Sequence, residues 1–354
     1  MTSSSTSTNG SQQTNKVNKR SDHKNNTNKI QPSFNHDSRP TTPILMNNSS
    51  HPIMNRLSSM TGRSPPSTHS TPSPADQYIN YHQSNSFFLP KDWESRNYEE
   101  NLHYALKTTF GGTVSQTVLP RLQKGARVIQ MGSCTNPWLM DMATQFPFCH
   151  FTGIEVVPNS FLQDFPPLPN VAFERGLPWI QILQNLDDNS IDYIHLRACS
   201  SFLDSDQWHQ GLTEMYRILK PEGVIRMEDF HNLASGTVMI ESFVETCKLR
   251  NIAASSRFDF DIAPKLGNIA TQHHFQIIES KKKRIHYGSK GKVEEEFLLF
   301  ILGIFEQVSD QMAPLLGLEP EDYKHRVEMF CAQCVKNDCH MDWFSWVVKK
   351  PAST

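Results

Sequence analysis

No apolar stretch opens this sequence of 354 residues, and the longest one within it, Phe297 to Phe305, covers only nine. A membrane helix needs about 20 such residues. A secretory signal and a membrane span are therefore not expected, and a cytoplasmic or nuclear location is. Glycine is scarce, at 16 residues, and no G-x-G-x-x-G occurs. That absence argues against a nicotinamide-dependent oxidoreductase, whose pyrophosphate grip needs those glycines. No N-P-P-[YF] run is present to point at adenine or glutamine amides. Cysteines number seven, an odd count without an export signal, which fits reduced thiols better than a disulfide framework. Cys331, Cys334, Cys339 and His340 do supply four zinc-type ligands. Their spacing is unusual, and Cys331 and Cys334 fall on an expected helix, where small buried cysteines are ordinary core, so no metal is expected.

What the sequence does contain is divided unevenly. Of the first 90 residues, 54 are Ser, Thr, Asn, Gln or Pro, too little apolar surface to offset the entropy of ordering them. A disordered arm over residues 1–95 and one domain over 96–351 are expected. Lys and Arg outnumber acids 8 to 3 in residues 1–90 and trail them 26 to 33 beyond, so the arm carries +5 and the rest −7. An acidic domain offers no clear nucleic-acid face, since phosphate recognition draws on clustered Lys and Arg. In the arm, Thr42, Ser64, Thr71 and Ser73 each precede a proline. They suit a proline-directed kinase, and the arm is the expected contact for regulatory protein partners.

From Tyr98 the pattern turns helical and stops at Gly111-Gly112. Strands are expected at 127–131, 149–155, 171–175, 191–196 and 224–229. Helices are expected at 137–145 and 206–219, the second closed by Lys220-Pro221-Glu222-Gly223. Such alternation predicts a parallel sheet covered on both faces. Beyond it the reading is a helix from Val238 to about Arg250, a strand near 275–281, helical segments over 292–316 and 320–335, and a closing strand over 342–350.

In sheets of this kind ligands lie outside the carboxyl ends of the strands, beside the first strand–turn–helix. Here that turn is Gly132 to Asn136, and glycine suits it because a Cβ obstructs close backbone approach. Glu155 ends the second strand, 23 residues after Gly132, where a carboxylate holds ribose hydroxyls. A solvated strand end reads equally well. His195, Arg197, Glu228, Asp229 and His231 close the fourth and fifth strands at the edge where a methyl acceptor would lie. Each suits a base, with backbone pairing and helix capping as the plainer reading.

The run from Tyr98 through GARVIQMGSCTNPWLMDMATQFPFCHFTGIEVVP, then LDDNSIDYIHLR, EMYRILKPEGVIRMEDF and the tail MDWFSWVVKKP, resembles in serial order the fungal class I S-adenosylmethionine-dependent methyltransferases, a family that includes velvet-associated regulators of secondary metabolism. Coverage runs from about Asn97 to Pro351. The resemblance implies a Rossmann-like α/β fold whose seven-stranded, mostly parallel sheet has an antiparallel last strand. It also implies S-adenosylmethionine as cofactor and an unnamed methyl acceptor. Gln130, Gly132, Ser133, Cys134, Glu155 and Val156 would surround the cofactor, with His103 and Tyr104 from the leading helix closing over it. The family pattern VLDVGCGTGTW stands here as VIQMGSCTNPW, so an acid has become Gln130, and two turn glycines have become Cys134 and Asn136. The family's acid after the third strand is replaced by Gly176 and Leu177. Two readings stay open: a methyltransferase, and a regulatory module that keeps the fold without catalysis.

Overall fold

The computed structural model describes residues 93–132, 137–155, 168–174, 177–201, 203–231, 237–255, 259, 261–288 and 291–352. Within them the order is α1 (Trp93–Phe110), β1 (Arg127–Gly132), α2 (Pro137–Gln145), β2 (His150–Glu155), β3 (Val171–Glu174), α3 (Trp179–Gln184), β4 (Ile191–Arg197), α4 (Ser205–Ile218) and β5 (Leu219–Phe230). There follow α5 (Val238–Ser255), α6 (Leu266–Gln272), β6 (Gln276–His286), α7 (Lys292–Gln307), α8 (Ser309–Leu316), α9 (Pro320–Lys336) and β7 (His340–Lys349). The seven strands lie in the order β3-β2-β1-β4-β5-β7-β6. β1 to β5 pair in parallel, and β7 runs antiparallel to both β5 and β6.

Strands and helices follow local chemistry. α2 opens on Pro137, whose fixed φ and missing N–H suit a first helical turn. α4 begins with a reciprocal capping box: the Asp204 carboxylate accepts from the Gln207 backbone N–H, and the Gln207 side chain accepts from the Asp204 N–H. α3, which periodicity alone does not reveal in so short a segment, buries Trp179 against α4. A Cβ at Gly211 would stand 2.8 Å from that indole, so the glycine sets how closely the two helices approach.

Lys220 to Gly223 depart from expectation. The segment does not merely close α4; it lies within β5, as an excursion between the Ile191–Leu219 and Tyr193–Val224 pairs. Glu222 takes φ 67° there. Its backbone N–H donates to Lys350 and the Gly223 carbonyl accepts from Lys350. Those partners follow β7, far along the chain, and they satisfy backbone groups that a turn would leave to water.

One apolar core packs α3, α4 and α6 on the sheet through Ile194, Leu196, Ile225 and Met227. Another gathers α1, α5 and α7–α9 around Phe230 and Trp343. The strand order reverses between β1 and β4, which opens a crevice at their carboxyl ends.

Candidate functional site

The register sets a row of polar side chains on one face of the sheet. Gly132 and Glu155 are the last residues of β1 and β2 and stand opposite each other. Gln130 faces His195, His195 faces Arg226, Arg197 faces Glu228, and Glu228 faces Ser345. Central strands covered on both faces are ordinarily apolar throughout, so this row stands out as the candidate site. α1 and α2 cover it: Trp138 of α2 stacks on His195 with ring centroids 3.8 Å apart.

Glu228, buried to 2% exposure, organises the row. Its Oε2 accepts from Arg197 Nε at 2.9 Å, Arg197 Nη2 at 2.7 Å and His195 Nε2 at 3.2 Å. Its Oε1 pairs with Arg226 Nη2. Burial alone would raise this carboxyl's pKa, but the two guanidinium groups and His195 hold it well below the usual carboxylate range. Arg226 also donates to Ser345 Oγ at 3.2 Å and to the Thr113 carbonyl at 2.8 Å.

Arg197 reaches the other way, placing Nη1 3.0 Å from His103 Nδ1. A guanidinium only donates, so Nδ1 is the acceptor, and the ring proton sits on Nε2, which donates to Asp141 Oδ2 at 3.0 Å. Burial, seconded by the Arg197 charge, pushes His103 down to about 4. Burial also takes His195 to about 3, against the hydrogen bond it donates to Glu228. Partial burial would raise Asp141, but bonds from Lys107, Gln145, Thr113 and His103 prevail and hold it at about 2. On the sheet's other face, burial lifts Asp229 to about 6, although Ser200 and the Phe230 N–H donate to it.

Of the residues expected around a cofactor, Gly132 closes β1, and the Glu155 backbone lies opposite it. Gln130 is buried with Oε1 unpartnered. His103 is turned into the network, whereas Tyr104, next on the same helix, is 58% exposed. Ser133, Cys134 and Val156 lie outside the described residues, as does the Glu155 side chain. Sequence reasoning passed over Asp141, Thr113, Arg226 and Ser345. The available signal was charge at every second position of strands otherwise apolar: His195 and Arg197 in IHLR, Arg226 and Glu228 in IRMED. His231 stands apart from the row and pairs with Asp261 at 3.0 Å. Cys331, Cys334 and Cys339 are buried in the apolar core, with Cys331 pushed up to about 12 by burial. Among the described residues no group of three or more His, Cys, Asp or Glu is arranged to hold a metal.

A Cβ at Gly132 would stand 3.1 Å from the Arg197 carbonyl oxygen, a backbone atom that cannot swing aside as a side chain can. Gly132→Val is therefore expected to destabilise the fold by about 1–3 kcal/mol in urea denaturation. A change under about 0.5 kcal/mol would show that the bend has room to spare.

No family model matches the chain. It is similar to the secondary metabolism regulator laeA of Coprinopsis cinerea, at 27% identity over 152 residues, 41% of this chain and 36% of the relative. It is also similar to the tRNA N(3)-methylcytidine methyltransferase trm140 of Schizosaccharomyces pombe, at 42% over 71 residues, 19% of this chain and 23% of the relative. The N-methyltransferase gliN of Aspergillus fumigatus matches at 20% over 251 residues, 64% of this chain and 86% of the relative. The chain thus spans well under two thirds of the first two relatives, 36% and 23% of their lengths. The sheet order, with its antiparallel β7, agrees with the fold expected from the sequence, and the chain is similar over part of its length to fungal methyltransferases, which supports the resemblance to the fungal class I S-adenosylmethionine-dependent methyltransferases.

Proposed function

We propose that this chain binds S-adenosylmethionine in the crevice at the carboxyl ends of β1 and β2 and transfers its methyl group to an acceptor. The observation that carries the reading is the pairing of Gly132 with Glu155 at the carboxyl end of β1, the strand on whose other side the strand order reverses. The crevice fits such a group on two counts. The glycine lets the β1 and β4 backbones approach closely where the first turn begins, since a Cβ there would stand 3.1 Å from the Arg197 carbonyl oxygen, and Gln130 keeps a buried acceptor oxygen without a partner. Gly132, Ser133 and Cys134 would supply the turn, Glu155 the ribose contact, and Gln130, Val156, His103 and Tyr104 the remaining walls. The bound group supplies an activated methyl on a sulfonium. The chain's own contribution is alignment and exclusion of water, which accounts for much of the acceleration in transfers between oriented partners. Two of the relatives are named for methylation at nitrogen, so nitrogen acceptors are the first class to try.

A second reading, a regulatory module without catalysis, draws on Gln130. The family pattern carries an acid at this position, and a neutral amide gives up a charged hydrogen bond worth roughly 1.5–3 kcal/mol. Calorimetry and thermal shift with S-adenosylmethionine and S-adenosylhomocysteine separate the two. Binding is expected, with stabilisation of about 2.7 kcal/mol at a ligand concentration 100 times Kd. Silence at millimolar ligand would favour the regulatory module.

A further inference from the structure

Helix α1 meets the sheet's polar row where Arg197 Nη1 contacts His103 Nδ1, 3.0 Å away and buried. Its other polar tie in this region, Lys107 and His103 on Asp141, runs sideways to α2. The fork of Arg197 is fixed in plane because Nε and Nη2 both donate to one carboxylate oxygen of Glu228, which leaves Nη1 aimed outward at the helix. The backbone of the same residue packs against the other side of the crevice, its carbonyl 3.1 Å from where a Gly132 Cβ would lie. Arg197 therefore touches both walls at the point where strand order reverses: β1 with its main chain, α1 with its side chain. Lysine could not reproduce this, since a single ammonium cannot grip Glu228 in two places and still present a donor to His103.

We propose that Arg197 is a positioning residue for the cofactor: acting through His103, it clamps α1 over the carboxyl edge of β1, and cofactor affinity depends on this guanidinium–imidazole contact. The proposal rests on the cofactor reading above and adds to it the part of the chain that sets affinity from outside the ligand's contacts. Arg197 is 9% exposed, and its guanidinium is engaged by Glu228 and His103, so its effect is transmitted rather than direct.

The test uses the full chain with S-adenosylhomocysteine as the calorimetric probe and amide hydrogen exchange as a second readout. Arg197→Lys and His103→Phe, which keeps the ring but removes the acceptor, are each expected to raise Kd by roughly tenfold or more. If Arg197 acts through His103, the double variant binds no more weakly than the weaker single one. Amides of α1 should exchange faster in both variants, with or without ligand, while those of β4 and β5 stay protected. A Kd within twofold of wild type for Arg197→Lys overturns the clamp, and so do additive effects, which would mean separate roles. Should Arg197→Lys fail to fold, His103→Phe carries the test, since it keeps the ring but removes the acceptor at the far end of the contact; an unchanged Kd and unchanged α1 exchange there overturn the proposal. Absence of binding by the wild-type chain sinks the cofactor reading and the clamp together, and is recognised because the unaltered protein is then itself silent.

Discussion

Glu228→Gln is expected to destabilise the folded chain by about 3–5 kcal/mol. Two buried guanidinium groups depend on that one carboxylate: Arg197 through Nε and Nη2, and Arg226 through Nη2. An amide of the same shape carries no charge, and its NH2 would face donors. The two arginines would then lose the carboxylate they share, while Asp141 is already engaged by Lys107, Thr113, Gln145 and His103, and Glu279, the other acid acting on Arg226, by Thr117 and Lys281. Equilibrium urea denaturation, with the slope m unchanged, measures the loss. A surface pair makes the control: Arg284 is 54% exposed where it meets Asp342, and Arg284→Ala should cost no more than about 1 kcal/mol. If Glu228→Gln cost as little as the control, the row would be a solvated assembly rather than a buried one.

Stability should also fall as the pH drops below about 6.5, before ordinary carboxylates begin to titrate. Burial holds His103 at about 4 and His195 at about 3 in the folded chain, against 6.5 for a free imidazole. Between pH 6.5 and 4 the unfolded chain takes up two protons that the folded chain refuses. The stability these rings contribute is therefore complete above pH 6.5 and drains away as the pH falls through that window. His103 is faced by Arg197, Lys107 and Asp141, and His195 by Glu228, Arg197, Arg226 and the Trp138 ring, so neither has room for a further charge. Asp229 acts in the opposite direction. Raised to about 6, it keeps a proton between its unfolded value of 3.8 and 6 that the unfolded chain releases, which adds stability as the pH falls. Two imidazoles against one carboxyl leave about one net proton, or roughly 1.4 kcal/mol per pH unit. Asp141 and Glu228, both lowered, steepen the decline in more acid solution as they are forced to protonate. Thermal midpoints measured from pH 7 to pH 4 should trace this slope, and His103→Asn should flatten it while lowering stability at pH 7. A level curve down to pH 5 would mean that one or both rings are hydrated.

Much of the fold was legible in the residues because the signals involved are local. Apolar runs at Arg127–Gly132 and Ile191–Arg197, the helical spacing of Ser205–Ile218 and the alternation in His340–Lys349 each announce an element within a single window. The positions of Gly132 and Glu155 at the ends of their strands were legible in the same way, since the strands are consecutive. α3 escaped because six residues are too few for periodicity to show. Lys220 to Gly223 read as a helix stop because the composition Lys-Pro-Glu-Gly is that of a turn, and the backbone partners that draw the segment into β5 belong to Lys350.

What the sequence determined by itself was therefore the identity and order of the elements and the family that they resemble. Only the tertiary structure decided which charged side chains share an interior. His103 and Arg197, 94 residues apart, meet across the crevice, while Tyr104 beside His103 turns to solvent. Hydrophobic patterning repeats every two or 3.6 residues and can be read along the chain. Whether an arginine is a solvated end or a buried clamp is settled by strand order and register, which bring its counter-ion from another strand and its histidine from another helix.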